Sequence, residues 1–393
     1  MKSFVLCRVP MLVLLVALPL ALLPALAQDS PAESAKGIAA ALRPFVNSGS
    51  LAGAVTLVAD KDRVLSLEAV GFADIAANRP MQTDALFWIA SQSKPITAVA
   101  LMMLVDEGKV KLDDPVATYL PEFKDQWLVV EQDKDHVLLK KPKHPVTVRS
   151  ILSHTSGMPF RSALEQPTLD LLPLQEAVRS YAMTPLEFEP GSKYQYSNAG
   201  INTSGRIIEV ISGMPYETFL QQRLLRPLGM MDTTFWPNEE QLKRLAGSYR
   251  PSADKTGLEK TTITQLHYPL NDPKRQPMPA GGLFSTATDL GRFCQMMLNG
   301  GIYQGKRYLS AAAVTQMTRK QTGEAVKESY GFGWSTGGGT FGHGGAYATN
   351  MTIDPKRGLI TVFLAQHAGF SRNGGKSHAV FQEAAERLWK SSQ

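Results

Sequence analysis

Strand-like runs at both ends of this 393-residue chain, with helices and loops between them, predict an α+β fold. The expected architecture is an antiparallel β-sheet flanked by helices, with an inserted, mostly helical domain. Three observations carry it. Two β-rich runs, 52–59 and 63–72, are joined by Asp60-Lys61-Asp62, which reads as a hairpin. Four more, 330–334, 340–342, 348–353 and 359–365, are separated by glycines or by Asp354-Pro355-Lys356-Arg357-Gly358. Between these groups lie helical patterns at 147–153, 200–212 and 216–224, set among Pro/Gly loops. The sheet domain is therefore expected to be discontinuous, residues 28–115 and 280–393, with 116–279 as the helical insert.

Residues 1–27 read as a secretory signal. Lys2 and Arg8 precede an apolar run from Met11, and Ala25-Leu26-Ala27 is a small-x-small cleavage site before Gln28. The apolar core is short for a membrane span. The mature chain is thus expected to be periplasmic or secreted, of bacterial type, cleaved after Ala27 and without a stable span. A helix at 32–47 opens it and one at 377–390 closes it. Removing Lys2 and Arg8 leaves 39 basic side chains against 35 acidic ones, too mild an excess to argue for nucleic acid. Cys7 departs with the signal, so Cys294, inside a helical pattern at 289–298, has no disulfide partner and reads as a small buried hydrophobe. The seven histidines show no ligand spacing, and no metal or cofactor is expected.

The chemistry begins at Ser91-Gln92-Ser93-Lys94. An apolar run, 85–90, delivers this stretch to a helix start marked by Pro95, and Ile96, Val99, Leu101, Met102, Leu104 and Val105 continue the helix to about Gly108. At i and i+3, Ser91 and Lys94 share a face, so the lysine nitrogen can reach the hydroxyl and take its proton. The dipole at the helix start favours the deprotonated forms of both. Ser252-Ala253-Asp254-Lys255 repeats the spacing, but it lies in a polar stretch (248–262) read as surface loop.

A Ser–Lys pair needs a third group to pass the proton on, and Tyr196-Ser197-Asn198 supplies one. It follows the turn Pro190-Gly191-Ser192-Lys193 and precedes the helix from Gly200, so Tyr196 and Asn198 can enter a cleft from one loop. A neighbouring ammonium would favour the Tyr196 phenolate. Gly342-His343-Gly344-Gly345-Ala346 forms a third element, whose glycines admit a substrate backbone and whose following amide can pair with that of Ser91 as an oxyanion hole.

Ser91-x-x-Lys94, Tyr196-x-Asn198 and His343-x-Gly345, in that order, resemble the serine β-lactamase and penicillin-binding-protein superfamily. The resemblance is to its class C-like branch, with DD-peptidases, D-aminopeptidases and carboxylesterases. Supporting stretches are residues 109–115, Leu152-Ser153-His154-Thr155-Ser156-Gly157 and 281–290. The resemblance implies Ser91 as the acylated nucleophile, Lys94 and Tyr196 as the acid/base pair, Asn198 as a substrate contact, and the Ala346 and Ser91 amides as the oxyanion hole. The family's usual third motif is Lys-Thr-Gly; here it is His343-Gly344-Gly345, which lacks the cation and hydroxyl that relatives use to hold a carboxylate.

Two decoys compete. Lys255-Thr256-Gly257 lies in the same polar stretch as Ser252. Gly333-Trp334-Ser335-Thr336-Gly337 matches a Gly-x-Ser-x-Gly elbow, but Gly337-Gly338-Gly339 forbids the helix that motif requires. His154 reads as a loop-packing residue and Thr286 with Asp289 as a helix cap. The expected protein is an exported serine hydrolase acting on a small-molecule ester, peptide or β-lactam, with ester or D-amino-acid peptide hydrolysis favoured over β-lactamase or DD-carboxypeptidase action. A non-catalytic, penicillin-binding-like sensor on the same fold is the second class of reading, opposed by the presence of all three catalytic elements.

Overall fold

A computed structural model describes residues 1 and 37–392; the signal segment and the first five residues of the helix expected at 32–47 lie outside the described residues. Seven strands form one antiparallel sheet: β1 (Gly53–Ala59), β2 (Val64–Asp74), β3 (Arg79–Pro80), β4 (Ser335–Gly337), β5 (Thr340–Gly345), β6 (Thr349–Asp354) and β7 (Leu359–Leu364). Their order is β4-β5-β6-β7-β1-β2-β3, so β1 and β7 meet in the middle, with Val55 opposite Leu364 and Ala59 opposite Ile360. Helix α1 (Ile38–Asn47) precedes the sheet and α5 (Ser377–Ser391) follows it.

Alternation along the central strands makes three layers. Ala54 and Val58 of β1, with Phe363 of β7, pack against Ile38 and Leu42 of α1 and Phe381 and Ala385 of α5. Val55 and Leu57, with Val362 and Leu364, face the opposite way into the larger core, against α2 (Ser93–Asp106) and α4 (Ala287–Leu298). On α4, Gly291 permits the approach, since a Cβ there would lie 2.9 Å from a Leu57 methyl. Every residue of α2 from Ser93 to Leu104 is buried. A helix apolar all round needs neighbours on every side. The sheet supplies one, and α3 (Asn198–Ser212), with the short helices Val148–Leu152 and Tyr216–Leu220, supplies others.

Two local expectations are corrected. Residues 330–334 are a tight loop, not a strand: Gly333 has φ +75°, a Cβ on it would meet Ala98 Cβ at 2.6 Å, and one on Gly331 would meet the Met317 carbonyl at 2.0 Å. Only an isolated bridge from Tyr330 to Ser335 remains before β4. The polar stretch 248–262 is not loop throughout but a hairpin of Ser248–Pro251 and Leu258–Thr261. Its turn is built by Ser252, whose hydroxyl donates to Asp254 at 2.6 Å while accepting from the Gly257 amide at 3.0 Å. Ser248 and Tyr249 are buried and the rest of the ribbon is half-buried or exposed, so its polar residues give no alternation to read.

Phe363 packs between the sheet and the α1/α5 layer. Phe363→Ala is expected to cost about 3–5 kcal/mol, read as a lowered denaturation midpoint in urea with an unchanged slope.

Candidate active site

Ser91 sits on a strained turn. The short strand Phe87–Trp88 pairs with Phe284–Ser285, and the chain then turns through Ala90–Gln92 into α2. Ala90, immediately before the nucleophile candidate, has φ +46°, a left-handed conformation that a residue with a Cβ rarely adopts. Hydrogen bonds on both sides hold it there: the Ile89 amide donates to the Leu283 carbonyl at 3.0 Å, and Ser93 Oγ donates to the Ala90 carbonyl at 2.7 Å.

Lys94 is fully buried, while Ser91 is partly open to solvent. Its Nζ lies 3.1 Å from Ser91 Oγ, 2.7 Å from Asn198 Oδ1 and 2.8 Å from the Ala280 carbonyl. Burial pushes the Lys94 pKa well below the ordinary lysine value. The two carbonyl oxygens only accept, so a neutral Lys94 spends both N–H groups on them and turns its lone pair to the Ser91 hydroxyl. That is the arrangement a proton acceptor needs.

Tyr196 lies against the same pair. Its phenol faces the Ser91 side chain closely enough for that hydroxyl to favour the phenolate, and Lys94 Nζ is 4.6 Å from its ring centroid. The phenolate expected beside an ammonium is not favoured: burial raises the Tyr196 pKa above the ordinary phenol value, outweighing the Ser91 hydroxyl. The loop carrying Tyr196 is pinned by His154, whose Nδ1 accepts from the Ser197 amide at 3.2 Å and whose carbonyl accepts from the Gln195 amide at 2.9 Å. The Phe160 carbonyl accepts from the Asn198 amide at 3.0 Å, and the Ser197 hydroxyl caps α3. His154 therefore carries its proton on Nε2. That nitrogen has no partner among the described residues, and burial, then Lys94, keeps the ring neutral.

The third element divides. Gly345 packs directly on the nucleophile turn, since a Cβ there would lie 2.5 Å from the Ile89 carbonyl and 2.2 Å from Thr349 Oγ1. Ala346 follows, exposed, and neither its amide nor that of Ser91 has a backbone partner among the described residues. Both are free to donate to an oxyanion. The His343 side chain, by contrast, is buried. Its Nδ1 donates to the Gly344 carbonyl at 2.6 Å and its Nε2 accepts from the Tyr330 hydroxyl at 2.9 Å. Burial, reinforced by Lys94, pushes its pKa down to about 3. The ring is therefore neutral, committed to two partners and packed against Tyr196 and Tyr330, and offers no cation for a carboxylate.

The residues not singled out from sequence lie in the segment around Ala280. Three consecutive carbonyls there are held by side chains of the nucleophile segment: Pro279 by Thr97 Oγ1 at 2.7 Å, Ala280 by Lys94, and Gly281 by Trp88 Nε1 at 2.7 Å. The Leu283 amide completes the set by donating to Ser93 Oγ at 3.2 Å. Pro279-Ala280-Gly281-Gly282, a turn-rich run before a helix cap, was the available signal. Among the described residues no group of three or more His, Cys, Asp or Glu is placed to hold a metal, and no helix is long and apolar enough to cross a membrane.

Comparison with known proteins gives a consistent picture. The sequence model of the Beta-lactamase family matches residues 38–385. Protein Rv1367c of Mycobacterium tuberculosis is 32% identical over 84% of this chain and 90% of its own length. Esterase EstB of Burkholderia gladioli is 29% identical over 81% and 86%. Among solved structures, EstCE1, described as a hydrolase with promiscuous acyltransferase activity, superposes with a TM-score of 0.74 at 24% identity, covering 91% of this chain and all of that one.

If Lys94 and Tyr196 act as one proton-handling unit, Lys94→Ala and Tyr196→Phe each lower kcat by about 10²–10⁴-fold, and the double variant loses much less than the product. Strictly multiplicative losses on a common substrate would separate the two residues.

Proposed function

The chain belongs to the β-lactamase family of serine hydrolases, and on that premise we propose that it acts through a Ser91 acyl-enzyme on neutral esters or small amides. The observation that carries this reading is the buried Lys94 amine, with two carbonyl acceptors and the Ser91 hydroxyl as its three partners. In the proposed reaction, Lys94 takes the Ser91 proton as Oγ attacks the substrate carbonyl. The Ser91 and Ala346 amides receive the oxyanion, and Asn198 and Ala280 hold the ammonium that forms. Tyr196 donates its proton to the departing alcohol or amine and is reprotonated from Lys94. Water then enters, and the same groups run in reverse to release the acid.

Preference for a neutral substrate follows from the third motif. The neutral His343 and side-chain-free Gly344 put no permanent cation where relatives carry Lys-Thr, and Lys255 belongs to the turn of a separate hairpin. Carboxylate-bearing β-lactams and peptide C-termini therefore lack an ion-pair anchor. Ester hydrolysis, or hydrolysis of D-amino-acid amides and peptides that does not depend on a carboxylate, is the favoured activity. Export is proposed on the 1–27 signal pattern, and the mild basic excess of the mature chain fits an enzyme acting on small molecules.

The test is a panel of p-nitrophenyl esters, D-alanyl amides and peptides, and a chromogenic cephalosporin. Esters are expected to turn over fastest, and Ser91→Ala to abolish turnover while Ser252→Ala and Ser335→Ala retain it. A serine-directed phosphonate mapped by mass spectrometry to any serine but Ser91, or cephalosporin turnover exceeding that of every ester, overturns the reading.

Two pH dependences follow. The active base is neutral Lys94, so kcat/KM rises with pH through a Lys94 pKa lying well below the ordinary lysine value, and falls only where Tyr196 ionises, above the ordinary phenol value. For a carboxylate-bearing substrate KM stays flat from about pH 5 to 8, because His343 does not titrate there.

A further inference from the structure

Asn198 and Asn202 lie one helical turn apart on the same face of α3. Asn198 reaches Lys94 directly. Asn202 does not, yet it is as deeply buried, and its Oδ1 accepts from the Ala280 amide at 3.0 Å. Because that partner can only donate, the amide orientation of Asn202 is determined, and its Nδ2 donates to the Tyr181 hydroxyl at 2.9 Å. Tyr181 in turn donates to Glu165 Oε1 at 2.6 Å, and the Ser162 amide donates to Glu165 Oε2 at 2.8 Å. Glu165, Tyr181 and Asn202 are all almost wholly shielded from water.

The effect is concentrated on one residue. The peptide joining Pro279 and Ala280 is held at its oxygen by Thr97 and at its nitrogen by Asn202, and the next carbonyl along the chain, that of Ala280, receives a Lys94 N–H. Asn198 alone leaves the amine free to rotate about one hydrogen bond. With the Ala280 carbonyl fixed as the second acceptor, the lone pair has one direction left, toward Ser91 Oγ.

We propose that Asn202, braced by Tyr181 and Glu165, is a positioning residue that aims the Ala280 carbonyl at Lys94 and so orients the amine toward Ser91. This rests on the reading of Lys94 as the base. The other titratable groups around Lys94 are Tyr196 from the 194–198 loop, His154 from the loop after the helix Val148–Leu152, and His343 from β5. Glu165 stands at the far end of the hydrogen-bonded chain, beyond Tyr181.

A carbonyl acceptor stabilises an ammonium more than a neutral amine, so losing it lowers the Lys94 pKa. In Asn202→Leu the acid limb of Ser91 reactivity therefore moves to lower pH, while the plateau rate falls by about 10–100-fold because the lone pair is no longer aimed. Asn202→Asp keeps an acceptor for the Ala280 amide but adds a buried negative charge near Lys94, so the limb moves to higher pH. Tyr181→Phe removes only the outer brace and shifts the limb as Asn202→Leu does, by less. A residue that merely filled space would change stability without moving the limb.

The measurement is the rate of Ser91 labelling by a fluorophosphonate from pH 5 to 10 on the whole chain, with circular dichroism to confirm folding. Opposite limb shifts in the Leu and Asp variants support the proposal. An unmoved limb in both, or shifts of the same sign, overturn it; should Asn202→Leu fail to fold, an unmoved limb in both Asn202→Asp and Tyr181→Phe does so. Labelling at Ser91 without turnover of any ester or amide refutes the proposed function and leaves the positioning argument to be decided by the same pH profiles. A wild type unlabelled at Ser91 at every pH refutes both.

Discussion

Everything at the centre of this molecule depends on keeping one amine out of water. A lysine side chain that is fully buried loses its hydration, and the interior must supply partners for each hydrogen it retains. For Lys94 those partners come from three places far apart in the chain: the turn at Ser91, the start of α3 at Asn198 and the backbone at Ala280. None of the three segments can shift without leaving an unsatisfied polar group in an apolar interior. The same burial that makes the site expensive to build pushes the amine toward its neutral form.

The strain at Ala90 belongs to the same design. A left-handed residue carrying a Cβ costs on the order of 1–3 kcal/mol, and such a conformation persists only where neighbouring contacts over-determine it. Here the contacts are the run of bonds from Trp88, Ile89, Ser93, Lys94 and Thr97 to residues 279–283. Gly345 then lets β5 approach from the other side. Ser91 is presented between two backbone segments, with its own amide and that of Ala346 unpaired among the described residues.

Behind Tyr196, a cluster of rings decides the electrostatics. His154, Tyr330 and His343 pack around it, with Tyr194 against His154 and Tyr330, and burial opposes charge on every one. Tyrosines are kept protonated and imidazoles unprotonated, so the site gains neither a fixed anion nor a fixed cation beyond the proton that Lys94 handles. On the function proposed above, a charged substrate would shed its hydration there without an opposite charge in return.

The sequence alone determined the sheet and singled out four side chains, Ser91, Lys94, Tyr196 and Asn198, that the fold brings together. The β1–β2 hairpin, the strands at 349–354 and 359–364 and the closing helix were legible because alternation and turn residues are local properties, and Ser91-x-x-Lys94 with Tyr196-x-Asn198 because each pair sits within one turn of chain. Where glycines required by tertiary contacts interrupted the pattern, as at Gly331 and Gly333, the expectation of a strand failed. Only the tertiary structure decided that the second acceptor for Lys94 is the carbonyl of Ala280, since a carbonyl carries no residue identity, and that Asn202 holds it in place. It also decided the surroundings of His343: the residue stands at the anticipated position on β5, but whether an imidazole titrates near neutral pH is set by what packs over it, here Tyr330 from the loop before β4 and Tyr196 from the loop before α3.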